Sequence, residues 1–184
     1  MIEERTITFV KITYNPVMDF FKKFFIEEVK AKTLIIISPI ITGLFNTRFS
    51  IERLKKKIDN DKILTYIITR EPEEDFHRKA IDILMSSDFT EIRYNNSLHA
   101  KLYICALDEP IFAILGSGNL TKNSIEKNIE IGMLIFHREQ GKQILHELYH
   151  WGGTRLRTLK ESKVVKKITY RRRAQPWNLK SGFV

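Results

Sequence analysis

Cysteine is almost absent from this chain, because Cys105 is the single one among 184 residues. An intramolecular disulfide is therefore excluded, and so is the class of small secreted domains that depend on disulfides. Long apolar runs are also lacking: the longest, residues 34–41, is too short to span a bilayer and is interrupted by Pro39. No secretory signal opens the sequence. These absences predict a cytoplasmic protein that does not associate with a membrane.

Internal repeats and low-complexity segments are lacking as well, and acidic residues are in the minority. The chain has 31 Lys and Arg against 22 Asp and Glu, which gives a net charge of +9 and a pI near 9.6. Such an excess favours a polyanionic partner such as nucleic acid or an acidic membrane surface, with solubility alone as the ordinary alternative.

The positive charge is concentrated at the C-terminus. Residues 160–184 carry five Lys and three Arg against Glu161, a net charge of +7. We therefore divide the chain into a folded domain, residues 1–158, and a basic C-terminal extension, residues 159–184. The extension is either an edge strand or an arm that becomes ordered on binding. Its residues Arg171, Arg172 and Arg173 are candidates for phosphate contact, whereas a solvated tail or docking of Trp177 on a neighbouring subunit are the alternatives.

Strand and helix patterns alternate through the first half of the chain. Asn15 and Pro16 predict the start of a helix whose apolar stripe includes Phe20, Phe21 and Phe24, and its helical period favours a core stripe over a base-stacking surface. Further helices are predicted over residues 50–59 and 74–85, and strands over residues 7–12, 33–38, 63–69 and 91–94. This alternation predicts an α/β fold with a mixed, largely parallel central sheet flanked by helices on both faces.

The predicted helix over residues 74–85 has an apolar side. Phe76, Ala80, Ile83 and Leu84 are expected to point inward, whereas His77, which lies beside charged residues, is expected to face solvent.

Residues 99–132 gather polar side chains at the end of several predicted strands. His99 and Lys101 are two apart in a strand-like run, so both side chains leave the same face, and Leu98, Ala100, Leu102 and Ile104 take the other. After a turn at residues 108–110, the apolar run 111–115 reads as a buried central strand. That strand delivers the small, amide-rich loop 116–119 to the edge of the sheet.

A further apolar run, residues 129–136, contains one carboxylate, Glu130. A buried acid requires a partner, and a basic residue of the site is the expected one.

Three ordered motifs in this region resemble the signature of the phospholipase D superfamily. They are His99-Ala100-Lys101, then Gly116-Ser117-Gly118-Asn119, and finally Asn128-Ile129-Glu130-Ile131-Gly132. The chain departs from the family at one position, since the Asp expected five residues after the Lys is Ala106 and the nearest candidate, Asp108, lies two positions later.

The resemblance implies a phosphodiesterase that uses neither metal nor cofactor. In the family one His attacks phosphorus to form a phosphohistidine, and a second His protonates the leaving group. His99 would be the nucleophile or the acid and base, Lys101 and Asn119 would hold the oxyanion, Ser117 would donate to phosphate, and Glu130 would orient the imidazole. Gly116 and Gly118 would bind the substrate.

Because the chain holds a single copy of the family's ordered His-Lys-Asp motif set, where many relatives carry two, the resemblance implies an isologous homodimer with the active site at the two-fold interface. The expected activity is that of a nuclease acting on DNA, or on RNA. Arg70, at the end of a predicted strand, is a candidate phosphate contact or an ordinary surface residue. The alternatives are an inactive nucleic-acid-binding module and a phospholipid phosphodiesterase, although no predicted helix has an exposed apolar face.

A second motif, His146-Glu147-Leu148-Tyr149-His150, matches the zinc pattern of metalloproteases. The third ligand is missing, because Leu156 occupies its position. Helical geometry also places Ile144, Leu145, Leu148, Tyr149 and Trp151 on one face and both histidines on the opposite, solvent side. We therefore predict two exposed histidines on an amphipathic helix and no metal site.

Overall fold

A computed structural model describes residues 9–26, 29–43 and 49–170. The strands are β1 (Val10–Thr13), β2 (Thr33–Ile37), β3 (Leu64–Thr69), β4 (Thr90–Tyr94), β5 (Leu102–Ala106), β6 (Pro110–Gly116), β7 (Gly132–Phe136) and β8 (Lys163–Lys166). The helices are α1 (Pro16–Phe21), α2 (Ile51–Asp61), α3 (Asp75–Met85), α4 (Lys122–Glu126), α5 (Glu139–His150) and α6 (Leu156–Thr158). Two π-helical segments, Lys22–Ile26 and Trp151–Arg155, extend α1 and join α5 to α6. No helix in these ranges has both the length and the apolar composition needed to cross a membrane.

The eight strands form one mixed sheet in the order β1-β7-β6-β5-β2-β3-β4-β8. The predicted α/β class is confirmed, but the predicted predominance of parallel pairing is wrong. Only β2 with β3 and β3 with β4 are parallel, and the other five pairs are antiparallel. Helices α2 and α3 provide the long crossovers that parallel neighbours require, whereas a short turn joins β5 to β6 and forces an antiparallel pair.

Helices cover both faces of the sheet, as predicted. One face packs against α1 to α4 and is rich in phenylalanine, with Phe20, Phe21 and Phe24 fully buried. The other face packs against α5 and α6 through Leu145 and Leu156. The aromatic stripe of α1 is therefore core, as its period indicated. Asn15 caps this helix by accepting a hydrogen bond from the Met18 amide at 3.1 Å.

Helix α3 buries Ala80 and Leu84 and packs Ile83 against the core as predicted, but its buried face is rotated toward His77 and away from Phe76. His77, Ala80, Ile81 and Leu84 are buried, whereas Phe76 is 49% exposed. The prediction that His77 faces solvent is wrong, because the imidazole lies on the buried face of α3 and packs against the end of β3. Its Nε2 atom lies 3.1 Å from the hydroxyl oxygen of Thr69.

Helix α5 is amphipathic, with Leu145 buried and Leu148, Tyr149 and Trp151 packed against the core. Ile144, predicted to be on this buried face, is 39% exposed instead, because it lies at the margin of the helical stripe. His150 is exposed as predicted. His146 is partly exposed, and its Nε2 atom lies 3.9 Å from Glu109 Oε2.

The start of the basic extension belongs to the sheet. Residues 163–166 form β8, which pairs with β4 at the sheet edge, so the edge-strand alternative holds for this segment. Tyr170 packs on Phe89 with ring centroids 4.5 Å apart. Arg171, Arg172, Arg173 and Trp177 lie outside the described residues.

Candidate active site

The predicted catalytic residues lie together at one end of the strands of the sheet, where β3 and β6 end and β5 and β7 begin. His99 and Lys101 directly precede β5 rather than lying within it. Their alternation nevertheless holds, since Leu98, Leu102 and Ile104 are buried on the α5 face. The His99 side of the segment is consequently left open to solvent.

Two cations lie together at this edge. The Lys101 ammonium donates a hydrogen bond to the backbone carbonyl of His99 at 2.8 Å, and Arg70 Nε donates to the Leu98 carbonyl at 2.8 Å. Partial burial lowers the pKa of Lys101, the positive charge of Arg70 lowers it further, and Glu130 acts in the opposite direction. The two side chains therefore brace the segment that carries His99 and form a local excess of positive charge, which favours an anion.

The loop 116–119 is held rigidly by two buried hydroxyl groups. Tyr103 donates to the Gly118 carbonyl at 2.8 Å, and Ser38 Oγ accepts from the Leu120 amide at 2.9 Å. Burial raises the pKa of the Tyr103 phenol well above its ordinary value, so it remains a donor. Sequence reasoning missed both residues. The signal for Tyr103 was its position two residues after Lys101, on the same side of the strand.

Two glycines bring the ends of β6 and β7 into close contact. Gly116 and Gly132 are partners in the strand register. A Cβ atom on Gly116 would lie 2.7 Å from the Ile131 carbonyl oxygen and 2.9 Å from the Gly132 Cα. The close approach therefore requires glycine, and it places Ser117 directly beside the segment that carries Glu130.

Glu130 is buried, with 7% of its surface exposed. Its carboxylate accepts hydrogen bonds from the Ser117 hydroxyl and from the Asn128 amide at 3.1 Å. Both donors are neutral, whereas the sequence predicted a basic partner, and none of the hydrogen bonds among the described residues joins Glu130 to His99. The burial of Glu130 between two short loops explains this, since the side chains nearest its oxygens come from those loops.

Asn119 has a side-chain oxygen that is buried and accepts no hydrogen bond within the described chain. A buried unpaired oxygen is costly, and a hydrogen-bond donor outside the described residues is expected to satisfy it.

The position of Ala106 is remote from this site. Ala106 ends β5 at the opposite edge of the sheet from His99. Asp108 is exposed there and forms an ion pair with Lys32 at 2.7 Å. The missing Asp of the third motif position therefore lies at the far end of β5 from His99.

Residues 26–151 match the family model described as cardiolipin synthase, PLD-like domain. Because this match spans more than half of the chain, the protein belongs to the phospholipase D superfamily. The resemblance carried by the three motifs is thereby confirmed, and the chain is a phospholipase D-like domain. No curated protein matches the chain in sequence.

Solved structures share the fold. Nuc, a phospholipase D family member from Salmonella typhimurium, is 17% identical with a TM-score of 0.62, and the alignment covers 86% of this chain and 98% of Nuc. NucT from Helicobacter pylori is 17% identical with a TM-score of 0.62, over 84% of this chain and 98% of NucT. TrmBL2, an archaeal chromatin protein with a novel mode of DNA binding, is 14% identical with a TM-score of 0.54, over 89% of this chain and 57% of its own.

Proposed function

We propose that the protein is a metal-independent phosphodiesterase, a homodimeric nuclease that cleaves DNA, or RNA, through a phosphohistidine intermediate. The observation that supports it best is the meeting of Arg70, His99, Lys101, Ser117 and Asn119 at one sheet edge of a chain from this superfamily. These groups supply a nucleophile and the positive charge and donors that a phosphoryl group needs.

In the proposed reaction His99 attacks phosphorus, a P–N bond forms and the bond from phosphorus to the leaving oxygen breaks. A second histidine donates the proton that the leaving oxygen requires, and the same group then removes a proton from the water that hydrolyses the P–N bond. Lys101, Arg70 and the side-chain NH₂ group of Asn119 donate hydrogen bonds to the phosphoryl oxygens. Glu130 fixes Ser117 and adds negative charge behind the site.

One copy of His99 cannot be nucleophile and acid in the same step, so the second histidine comes from another copy of the chain. Exposed apolar side chains beside the site support this assembly. Ile129 and Ile131 flank Glu130 and are exposed, and Tyr14 is 77% exposed. Ile12 and Met133, also exposed, are register partners in the β1–β7 pair nearby. A surface of this kind is typical of a protein interface.

The net charge of +9 favours nucleic acid as the substrate. We assign Arg171, Arg172 and Arg173 to contacts with the phosphate backbone. Replacing the three by Ala is expected to weaken DNA binding for all sequences and to reduce the slope of log K against log salt by up to about 2.7 for duplex DNA. Replacement of Lys55, Lys56 and Lys57 on α2 removes the same charge at another place, and it should reduce the slope less than replacement of the three arginines does.

The test of the proposed activity is cleavage of single- and double-stranded DNA in excess EDTA by the wild type, His99→Ala and His150→Ala. The exposed His150 lies on α5 and serves as the matched control. Wild type and His150→Ala should cleave, and His99→Ala should lose more than the roughly 10²- to 10⁴-fold that a positioned proton-transfer group supplies, because the variant lacks the nucleophile as well. A covalent protein–DNA adduct should form only where His99 is present.

Undiminished cleavage by His99→Ala would refute the proposed chemistry. If the wild type binds DNA without cleaving it, the protein is a binding module instead. The family description names cardiolipin synthase, so vesicles of anionic phospholipid are assayed in parallel. Turnover of the lipid alone would make the protein a phospholipid phosphodiesterase.

A further inference from the structure

A second cluster of chemically active side chains lies at the opposite end of the strands from His99. Glu109 is in the turn between β5 and β6, His137 follows β7, and His146 is on α5. One ligand atom of each residue lies within 4.8 Å of those of the others. The His137 Nε2 atom is 3.0 Å from Glu109 Oε2, and the His146 Nε2 atom is 3.9 Å from the same oxygen.

Both ring nitrogens are shielded from solvent although the rings themselves are partly exposed. Within the part of the chain that the structure describes, neither Nε2 atom makes a well-aligned hydrogen bond, and the 3.0 Å approach of His137 Nε2 to Glu109 Oε2 is a close contact without that alignment. A shielded imidazole nitrogen without an aligned hydrogen bond is costly. Two such nitrogens that converge on one carboxylate oxygen indicate a common ligand between them.

We propose that His137 Nε2, His146 Nε2 and Glu109 form a binding site for a zinc-class transition-metal ion. Two imidazoles and a carboxylate are a donor set that suits Zn²⁺. With metal–ligand bonds of about 2.0–2.2 Å, tetrahedral ligands lie about 3.3–3.6 Å apart. The separations of 3.0 Å and 3.9 Å from Glu109 Oε2 are close to this value, so small side-chain movements suffice, and water completes the coordination.

The competing interpretation is that Glu109 is only an acceptor for neighbouring cations. Lys142 Nζ lies 3.2 Å from Glu109 Oε2, and this lysine is the main cause of the lowered pKa of Glu109. Half of the Lys142 side chain is exposed, so it can turn into solvent when a metal ion takes its place. Simple ion pairing predicts no metal affinity, which separates the two interpretations.

The proposed site is structural in role. The seven residues of β6 separate it from Gly116, a distance of roughly 20 Å at the usual rise per residue, so it does not take part in chemistry at His99. The metal would tie the β5–β6 turn, the end of β7 and α5 together. This revises the expectation of no metal site and uses His146 of the His-Glu-x-x-His motif without His150.

The test uses the full chain, stripped with a chelator, exchanged into chelator-free buffer and titrated with ZnCl₂ against a chromogenic chelator. One Zn²⁺ per chain is expected, with an increased melting temperature. His137→Gln and His146→Gln should each weaken binding by more than the roughly 10- to 100-fold that loss of an outer-shell partner costs. His150→Gln should bind as the wild type does, and circular dichroism should show all variants folded.

The proposal would be overturned if the wild type did not bind one Zn²⁺ per chain, or if His137→Gln and His146→Gln bound it as tightly as the wild type does. An equal loss in His150→Gln would place the metal at the His-Glu-x-x-His motif instead. Cleavage of DNA by folded His137→Gln in EDTA is expected irrespective of this result, so the outcome is independent of the proposed nuclease activity.

Discussion

His77 is a titratable side chain buried within the core, with 4% of its surface exposed. The Thr69 hydroxyl donates to the Pro39 carbonyl at 3.1 Å, so its oxygen is left to accept from His77 Nε2, which must carry the proton. Burial lowers the pKa of His77 to about 4. The imidazole is therefore neutral in the folded protein at neutral pH.

The folded protein is expected to lose stability as the pH falls from about 6.5 to 4. In this window the unfolded chain binds a proton at His77 that the folded chain does not, so acidification favours unfolding, by up to about 3 kcal/mol. Urea unfolding at pH 7, 5.5 and 4 measures the effect. His77→Gln, which cannot titrate, should lose correspondingly less between pH 7 and pH 4. If the unfolding free energies of the wild type and His77→Gln fell by the same amount between pH 7 and pH 4, the lowered pKa of His77 would be contradicted.

Tyr103 holds the backbone beside Asn119 through its hydrogen bond to the Gly118 carbonyl, so the proposed function predicts a positioning role for it. In Tyr103→Phe the Gly118 carbonyl loses its donor inside the core, which is expected to cost about 1–3 kcal/mol of stability. The loop then shifts, and cleavage should fall about tenfold in kcat while DNA binding is retained. Tyr149→Phe on the other face of the sheet is the control. A change in the dissociation constant for DNA with kcat unaltered would contradict the positioning role.

The residues of the site differ in how well the sequence could predict them. His99, Lys101, Ser117, Asn119 and Glu130 stand in short motifs whose spacing is visible in the chain. The buried hydroxyls were not predictable, because Ser38 meets Leu120 across 82 residues of sequence. The neutral partners of Glu130 also depend on loop packing that no local pattern encodes.

At the scale of elements, the β6–β7 pair sets the position of Ser117 through its two facing glycines. Gly116→Ala brings a methyl group against the backbone of Ile131 and Gly132, which is expected to cost about 1–3 kcal/mol and to separate the strands. Thermal melting and cleavage should both decline. Gly153→Ala is the control, because its methyl group meets only the end of the Ile35 side chain, at 3.1 Å. Equal stability of the two variants would show that the close approach is not required.

The elements show where sequence patterns suffice and where they fail. Apolar runs located β2, β3 and β4 to within a residue or two, since a buried strand has a simple composition. The direction of pairing was mispredicted, because the βαβ pattern of the first half does not continue past Tyr94. The rotation of α3 that buries His77 and exposes Phe76 was also hidden, since both residues lie at the margin of the apolar stripe.

At the scale of the whole molecule, the proposed dimer depends on the apolar surface beside Glu130. The double variant Ile129→Asp/Ile131→Asp places two charges on that surface, and we expect it to be a monomer of 21.7 kDa, whereas the wild type should have twice that mass. Light scattering after gel filtration measures the mass. Cleavage should be lost together with the dimer.

The control for this variant is Leu159→Asp, which alters an exposed leucine just after α6. It should remain a dimer and retain activity. A wild type that is monomeric at the concentrations of the cleavage assay would contradict the shared active site.

The single thiol of the protein is buried in the core beneath the sheet. Cys105 is fully buried on β5, and burial raises the pKa of its thiol far above the ordinary value. Thiol-specific reagents therefore find no reactive thiol on the native surface. A cysteine introduced at Ile129 would be the one site for a fluorescent or spin label, and it would form an intermolecular disulfide only if two copies bring that position together.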